Sequence, residues 1–163
     1  MEEYDLNKYL LDIPFTNKAK FIERKNRFLG FVKVFDDKKP EKVHIRDPGR
    51  LEEILYPGNQ VLIKKVENKQ RKTSWDLIAG LVNDNWILIN SKFHRDITEI
   101  ILEDEDINPI GPFDKYHAEK KLGDSRIDFL VENGGKKIWL EVKGCTLSKR
   151  KVALFPDAPT ERG

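Results

Sequence analysis

The sequence predicts an α+β fold in which a small β-barrel precedes a second part built from a short helix and a β-hairpin. Between residue 14 and about residue 90, short apolar stretches with alternating polar residues are separated by turn signals. Beyond them, Pro109, Gly111 and Pro112 break the chain, and a Gly-Gly turn joins two further apolar stretches. We therefore expect two domains, at residues 1–90 and 91–163.

The first part is predicted to form a barrel because its strands are short and regularly spaced. The stretches with strand-like alternation are 28–35, 43–45, 60–64, 75–82 and 86–89. The strongest turn signals between them are Asp47-Pro48-Gly49, Tyr56-Pro57-Gly58-Asn59 and Asn83-Asp84-Asn85. This spacing favours a barrel of the OB type, which binds strands of nucleic acid on one face. Small barrels also serve as plain scaffolds, so the pattern alone leaves the binding role open.

The second part begins with a predicted helix at Asp96–Asp104, and residues 104–113 form the predicted domain boundary. Three isoleucines lie on one stripe of that helix: Ile97, Ile100 and Ile101. After the boundary, the sequence is expected to form a helix, two strands and a loop that ends in Phe155–Pro159.

The composition restricts the class of protein. Thirty basic residues against 28 acidic ones give a net charge of +2, which excludes a histone-like polycation and requires any nucleic-acid site to be a local basic patch. A single cysteine, Cys145, cannot form an internal disulfide, and we expect it to be a small packing residue. The start of the chain lacks a secretion signal, and no apolar run approaches the roughly 20 residues that span a bilayer. We expect a cytoplasmic protein without membrane association.

The Gly-Gly turn fixes the register of the predicted hairpin. If Asn133 pairs with Lys136, three apolar pairs follow: Ile127 with Val142, Phe129 with Leu140 and Val131 with Ile138. These pairs form an unbroken apolar face, as a buried sheet face requires.

The opposite face of the hairpin sets Asp128 across from Glu141. Carboxylates with Cβ atoms about 5 Å apart repel each other, and a divalent cation would stabilise the pair. Lys143 projects from the same face, where it could orient a nucleophilic water or steady phosphate charge. Arg126 and Lys143 could also neutralise the two acids without metal, so this alternative stays open.

Six stretches of the sequence, taken in order, resemble a known family. They are Phe21–Phe28, His44–Leu51, Arg71–Thr73, Ser125–Phe129, Glu141–Lys143 and Phe155–Gly163. The family is that of the sugar fermentation stimulation protein (SfsA), and the resemblance covers nearly the whole chain from Phe21 onward. The stretch that begins at His44 is similar to the family signature H-x-x-[NT]-x-G-R, with Asp47 where Asn is usual.

The resemblance implies an N-terminal OB-like β-barrel followed by a D…ExK nuclease-like α/β domain. It implies a DNA-binding protein linked to regulation of sugar (maltose) metabolism. Carried over by position, Asp128 and Glu141 are expected to be metal ligands and catalytic residues, and Lys143 the catalytic lysine. Glu119 falls where the superfamily often has an acidic residue on the preceding helix, and is the third expected ligand. The implied cofactor is Mg²⁺ or Mn²⁺.

The sequence departs from the family in two places. Asn90-Ser91 is followed by Phe93-His94-Arg95, where the family usually has Asn-Thr and a Pro-Asn pair. The family also continues into helices beyond the Glu-Arg-Gly at which this chain stops. We therefore expect the nuclease-like domain to be incomplete and the chain to be able to form a homodimer.

Six basic residues are the predicted contacts with DNA phosphates: Arg24, Lys25, Arg27, Arg50, Arg71 and Lys72. Trp75 and Phe28 could stack on bases, but we expect Phe28 to lie in the core. The leading hypothesis is a DNA-binding protein with a Mg²⁺- or Mn²⁺-dependent nuclease site. The alternatives are a non-catalytic DNA-binding regulator of sugar metabolism with a vestigial nuclease fold, and an OB scaffold that acts through protein partners.

Overall fold

The computed structural model describes residues 8–35, 39–68, 70–149 and 152–154. The chain divides into two compact units. The barrel unit comprises Ile13–Lys92 with the segment from Gly144 onward, and the sheet unit comprises Phe93–Lys143 with the N-terminal segment up to Asp12. The predicted boundary after residue 90 lies two residues from the change between the units, whereas the two chain ends are assigned differently.

Six strands form the main sheet of the barrel unit. They are β1 (Asn17–Asn26), β2 (Leu29–Val34), β3 (Glu41–His44), β4 (Gln60–Lys65), β5 (Trp75–Val82) and β6 (Asn85–Leu88). The sheet order is β3-β2-β1-β4-β5-β6, and β3 also pairs in parallel with β5. This last pairing closes β1 to β5 into a five-stranded barrel, which confirms the predicted architecture.

The long first strand makes the closure geometrically feasible. β1 pairs with β2 along most of its length and with β4 near its start. Its register against β2 shifts after Phe21 and again after Arg24, and such irregularities bend a strand and increase its twist. Side chains of alternate residues fill the barrel, and the most deeply buried include Phe21, Val32, Val43, Ile45, Ile54, Val61, Ile63, Leu77 and Ile89.

The β5–β6 hairpin turns at Asn83 and Asp84, which have φ angles of 46° and 62°. Left-handed conformations at both central residues are typical of the hairpin turns that match strand twist, and Asn and Asp tolerate them. The predicted turn is confirmed.

The sheet unit contains one helix and a three-stranded meander. A 3₁₀ turn at Ser91–Phe93 precedes α1 (His94–Glu103), and β7 (Lys115–Leu122), β8 (Ser125–Asn133) and β9 (Lys136–Leu140) follow. The predicted register is confirmed, since Phe129 pairs with Leu140 and Val131 with Ile138. Phe129 and Val131 are buried together with Leu102 of α1, whereas Ile138 of the same predicted face is 37% exposed.

The helix predicted after the chain break is wrong, because Lys115–Leu122 is strand β7. Tyr116 and Ala118 alternate toward the apolar face, and a turn at Gly123 and Asp124 returns the chain into β8. Cross-strand pairing with β8 therefore outweighs the helix propensity of the charged residues around Glu119.

The segment predicted as a terminal loop contains two short paired strands, β10 (Leu147–Lys149) and β11 (Val152–Leu154). The family-like stretch Phe155–Gly163 lies outside the described residues. No helix among the described residues has the length and apolar character needed to cross a membrane.

Candidate nucleic-acid interface and candidate metal site

Arg24 fastens two loops of the barrel unit through its guanidinium group. Its two Nη atoms donate to the carbonyl oxygens of Arg27, Asp47, Gly49 and Arg50 at 2.5 to 3.0 Å. Nε donates to the carbonyl oxygen of Asn26 at 3.3 Å. Arginine has five N–H donors, and these five hydrogen bonds use all of them.

This arrangement makes Arg24 a positioning residue rather than the free phosphate contact expected from the sequence. Burial of the guanidinium group, assisted by the nearby charge of Arg27, lowers the pKa of Arg24, while Asp47 opposes the shift. The carbonyl groups of Arg27 and Arg50 bind the same guanidinium group, and both of these side chains are exposed. Lys25, which lies between Arg24 and Arg27 in the chain, is exposed as well.

Arg71 is also held within the barrel unit. Its Nη2 lies 2.5 Å from Oδ1 of Asp76, and Nη2 of Arg46 lies 3.6 Å from Oδ2 of the same acid. Burial alone raises the pKa of Asp76, but the hydrogen bond from Arg71 and the charges of Arg71, Arg46 and His44 lower it overall. Lys72 is exposed, so its ammonium group is accessible to a phosphate, whereas the guanidinium group of Arg71 is paired with Asp76.

The prediction that Phe28 lies in the core is wrong, because its side chain is 49% exposed. Its ring stacks on that of His44, with 6.5 Å between centroids and 30° between planes. Nδ1 of His44 lies 3.1 Å from the carbonyl oxygen of Phe28, and an oxygen of this kind can only accept, so Nδ1 carries the proton. Trp75, by contrast, is buried.

Phe28 and His44 line a recess of about 420 Å³ together with Arg46, Ser91 and Lys92. The hydroxyl group of Ser91 donates to the carbonyl oxygen of Arg46 at 3.2 Å. The recess thus combines an exposed aromatic pair with two cations, which is the residue chemistry that binds single-stranded nucleic acid. The sequence reasoning missed four of these residues, although His44 opens the family-like signature stretch.

The three predicted metal ligands lie in neighbouring segments of the sheet unit. The β7–β8 register places Glu119 across from Asp128, since the flanking pairs are Ala118 with Phe129 and Lys120 with Ile127. The β8–β9 pairing ends at Phe129 with Leu140, and Glu141 is the first residue after β9. Glu119 has a φ angle of 53°, and it lies on β7 rather than on the predicted helix.

Each of these carboxylates has its own partner in the structure. Glu119 pairs with Arg126 at 3.3 Å and Glu141 with Lys143 at 2.7 Å. Asp128 accepts a hydrogen bond of 2.7 Å from the backbone N–H of Val142. The structure shows no group of three or more His, Cys, Asp or Glu side chains that could hold a metal ion within residues 8–35, 39–68, 70–149 and 152–154.

The sequence predicts that Cys145 is a small packing residue. It is an exposed free thiol whose Sγ lies 3.7 Å from the carbonyl oxygen of Leu147. The expectation of a packing role is therefore wrong. Cys145 lies two residues beyond Lys143, between the end of β9 and the start of β10.

The comparisons with known proteins agree with the barrel and with the order of the two parts. Residues 22–89 match the family model described as the SfsA N-terminal OB domain, and residues 92–163 match the sugar fermentation stimulation protein RE domain. Sugar fermentation stimulation protein homologues from Methanococcoides burtonii and Methanothermobacter thermautotrophicus are 47% and 45% identical, over 96% and 90% of this chain. The chain covers 65% and 60% of these relatives.

One solved structure is also similar, described as that of Pyrococcus furiosus SfsA in complex with Ca²⁺. It superposes with a TM-score of 0.77 at 27% identity, over 94% of this chain and 64% of that one. The fold and the matches define an OB-barrel protein with a second, smaller α+β unit. The chain belongs to the sugar fermentation stimulation protein family, and it spans less than two thirds of the length of the relatives above.

Proposed function

We propose that this chain binds DNA through the barrel unit, with Arg27, Arg50 and Lys25 as contacts to phosphates. The observation that carries the proposal is the clamp of Arg24, which binds the carbonyl groups of both Arg27 and Arg50. The backbone is therefore fixed at Arg27 and at Arg50, which are held close together, and each of these residues carries an exposed cationic side chain. A fixed pair of arginines suits phosphate binding, because guanidinium groups match phosphate geometry and little conformational freedom is lost on contact.

The test is the salt dependence of DNA binding, measured by fluorescence anisotropy with a labelled duplex and a labelled single strand. The double variant Arg27→Ala/Arg50→Ala should bind more weakly, and the slope of log K against log salt should become less steep by about 2. The control is Lys20→Ala/Lys33→Ala, which removes two exposed charges from a cross-strand pair near the other end of the same hairpin. Equal losses in both variants, or no binding by the wild type, would contradict the proposal.

A second proposed activity is divalent-cation-dependent hydrolysis of phosphodiesters at Glu119, Asp128 and Glu141. It is favoured by the positions of these residues, since Glu119 lies across from Asp128 in the β7–β8 register and Glu141 follows directly after β9. Carboxylate oxygens are the ligands that Mg²⁺ and Mn²⁺ prefer, so the donor chemistry fits such an ion. Arg126 and Lys143 pair with two of the acids, and a cation would replace them.

When bound, the cation would polarise a phosphoryl oxygen or activate a water. The chain would supply Asp128 and Glu141 as ligands, with Glu119 as a third. Lys143, released from Glu141, would be free to orient the nucleophilic water. The Ca²⁺ complex of Pyrococcus furiosus SfsA supports a cation site in a relative of this chain.

Calorimetric titration with Mn²⁺ and Mg²⁺ tests this activity at its first step. We expect binding in the wild type, loss of binding in Asp128→Asn and Glu141→Gln, and retention in the control Glu132→Gln. Glu132 lies on the same strand and face as Asp128 but is paired with Lys115 and His117. No binding by the wild type would contradict a cation site in this chain and leave a non-catalytic DNA-binding regulator as the better account.

The nuclease and the regulator then differ in one assay. Metal-dependent cleavage of DNA that disappears in Lys143→Met, with metal binding intact, would establish hydrolysis. DNA binding and metal binding without cleavage by the wild type would favour the regulator.

A further inference from the structure

We infer that the recess lined by Phe28, His44, Arg46, Ser91 and Lys92 receives one unpaired nucleotide of a DNA strand, with its base against Phe28 and its phosphate between Arg46 and Lys92. The inference deepens the DNA binding proposed above and rests on it. It adds that the barrel unit recognises single-stranded DNA or an unpaired base rather than a regular duplex.

The recess offers an exposed aromatic platform. Phe28 is 49% exposed although it is a large apolar residue, and its ring is held in place by the stack on His44. The side chain of Asn26 fixes the turn that carries it, since its Oδ1 accepts from the backbone N–H groups of Phe28 and Leu29 at 2.9 and 3.0 Å. A rigid, exposed ring costs little entropy when a base stacks on it.

The backbone of two cationic residues is held in a fixed position beside that platform. Asn90 is buried and donates to the carbonyl oxygen of Leu77 at 2.9 Å, while its Oδ1 accepts from the backbone N–H of Lys92 at 3.2 Å. Ser91 is bound to the carbonyl oxygen of Arg46. The backbone of Lys92 is therefore tied to the barrel directly next to Arg46, and its exposed side chain is available to an anion.

Arg46 has unused hydrogen-bonding capacity. Its Nη2 reaches Asp76 only at 3.6 Å, because Arg71 binds that acid more closely. Its Nε is buried and has no hydrogen-bond partner within the described part of the chain. A buried donor without a partner is costly, so an acceptor that enters the recess and draws the guanidinium group toward it would be favoured.

The size and chemistry of the recess select an unpaired nucleotide. At about 420 Å³ it falls within the range of small-ligand sites. The faces of bases inside a duplex are covered by their neighbours, whereas an unstacked base can present its face to an aromatic side chain. Stacking is tolerant of sequence because every base has a π-face, so we expect little preference among the four bases.

The test compares binding of a labelled oligothymidine with binding of a duplex of the same length, at one salt concentration. Phe28→Ala should weaken binding of the single strand by about fivefold to a hundredfold, as expected for one lost base stack, and should change duplex binding by less than about twofold. Phe28→Trp should restore single-strand binding. The control is Phe15→Ala, which removes a phenylalanine of nearly equal exposure, 48%, from outside the recess. Circular dichroism of both variants verifies that the fold is retained.

The cations are tested by Lys92→Ala, with Lys65→Ala as the exposed control on β4. We expect Lys92→Ala to weaken binding of the single strand and Lys65→Ala to leave it unchanged. A further titration with thymidine monophosphate identifies the source of the nucleotide. If thymidine monophosphate bound tightly and this binding were lost in Phe28→Ala, the recess would be a site for a free nucleotide. That result would overturn the inference that it receives a nucleotide of a DNA strand.

Failure of this inference is distinguishable from failure of DNA binding itself. If the wild type binds neither oligonucleotide, the proposed function fails and the inference with it. If the wild type binds DNA but Phe28→Ala has no effect, or weakens the single strand and the duplex equally, only the inference is overturned.

Discussion

The guanidinium group of Arg71 lies 2.5 Å from the carboxylate of Asp76, whose side chain is only 12% exposed. The guanidinium group of Arg46 faces the other carboxylate oxygen of Asp76, so one carboxylate offsets the charges of two arginines in the barrel unit. Replacing Asp76 with Asn should lower the free energy of unfolding by about 1–3 kcal/mol, because charged hydrogen bonds are lost and the arginines keep their charges without a counterion. Chemical denaturation of the two proteins measures the difference.

The matched control for that substitution is Asp84→Asn at the β5–β6 turn. Asp84 is exposed, and its φ angle of 62° is one that Asn tolerates. We expect its unfolding free energy to stay within about 0.5 kcal/mol of the wild type. A loss of stability as large as that of Asp76→Asn would show that the ion pairs of Asp76 add nothing.

The contribution of Asp76 should also depend on pH with a definite sign. Its pKa in the folded protein lies below the ordinary value of 3.8. The charged form is therefore favoured by folding, and the stability it contributes is present above pH 3.8 and lost as the pH falls through the folded pKa. The difference in unfolding free energy between wild type and Asp76→Asn should be constant near neutral pH and shrink in this acidic range. A difference that grows on acidification would contradict the assignment.

Arg24 provides a prediction that separates positioning from contact. Arg24→Lys should destabilise the protein by about 1–3 kcal/mol, because a lysine cannot reproduce five hydrogen bonds in a planar fork. Arg27→Lys makes the same chemical change at the exposed neighbour and should cost less than about 0.5 kcal/mol. Thermal unfolding of both variants measures this contrast, and equal costs would contradict the clamp.

The contrast between these two arginines also shows where sequence reasoning stops. A cluster of basic residues predicts a basic surface, but nothing local tells which guanidinium group binds carbonyl oxygens. Three of those carbonyl groups, of Asp47, Gly49 and Arg50, belong to a loop more than twenty residues away. Tertiary contacts alone therefore separate Arg24 from Arg27.

Phe28 illustrates a similar limit at a strand end. It has the same parity as Gly30, Val32 and Val34, which are buried, so alternation predicts a core position. The strand begins only at Leu29, and the preceding turn rotates Phe28 out to the surface.

The hairpin of β8 and β9, by contrast, was predictable to the exact register, because a Gly-Gly turn and three apolar pairs allow only one alignment. Strand β7 was not, because its charged residues lack a strong period and only pairing with β8 makes it a strand.

Gly80 of β5 offers a test of packing inside the barrel. A Cβ atom added there would overlap Cγ2 of Ile54, which is fully buried. Gly80→Ala should therefore destabilise the protein by about 1–3 kcal/mol through overpacking. In an Ile54→Ala background the overlap is gone, so the same change should cost much less. Unfolding free energies of the four proteins in this double-mutant cycle give the coupling, and simple additivity would show that the two residues do not clash.

Tyr116 gives a pH dependence at the alkaline end. Its hydroxyl group donates to Oε1 of Glu103 at 2.7 Å, and this bond, together with burial and the charges of Glu103 and Glu99, raises the pKa of Tyr116 to about 12. The neutral hydroxyl is favoured by folding, so the stability that it contributes is present below pH 10 and lost as the pH rises toward 12. Ultraviolet titration of tyrosinate should show a late component near pH 12.

Tyr116→Phe should remove that late component, and Tyr56→Phe, at an exposed position, should leave it in place. Circular dichroism at each pH verifies that the protein is still folded where the component appears. Persistence of the late component in Tyr116→Phe would assign it to another tyrosine and contradict the bond to Glu103. Its loss would place Tyr116 as the residue that joins β7 to the end of α1 across the apolar face of the sheet unit.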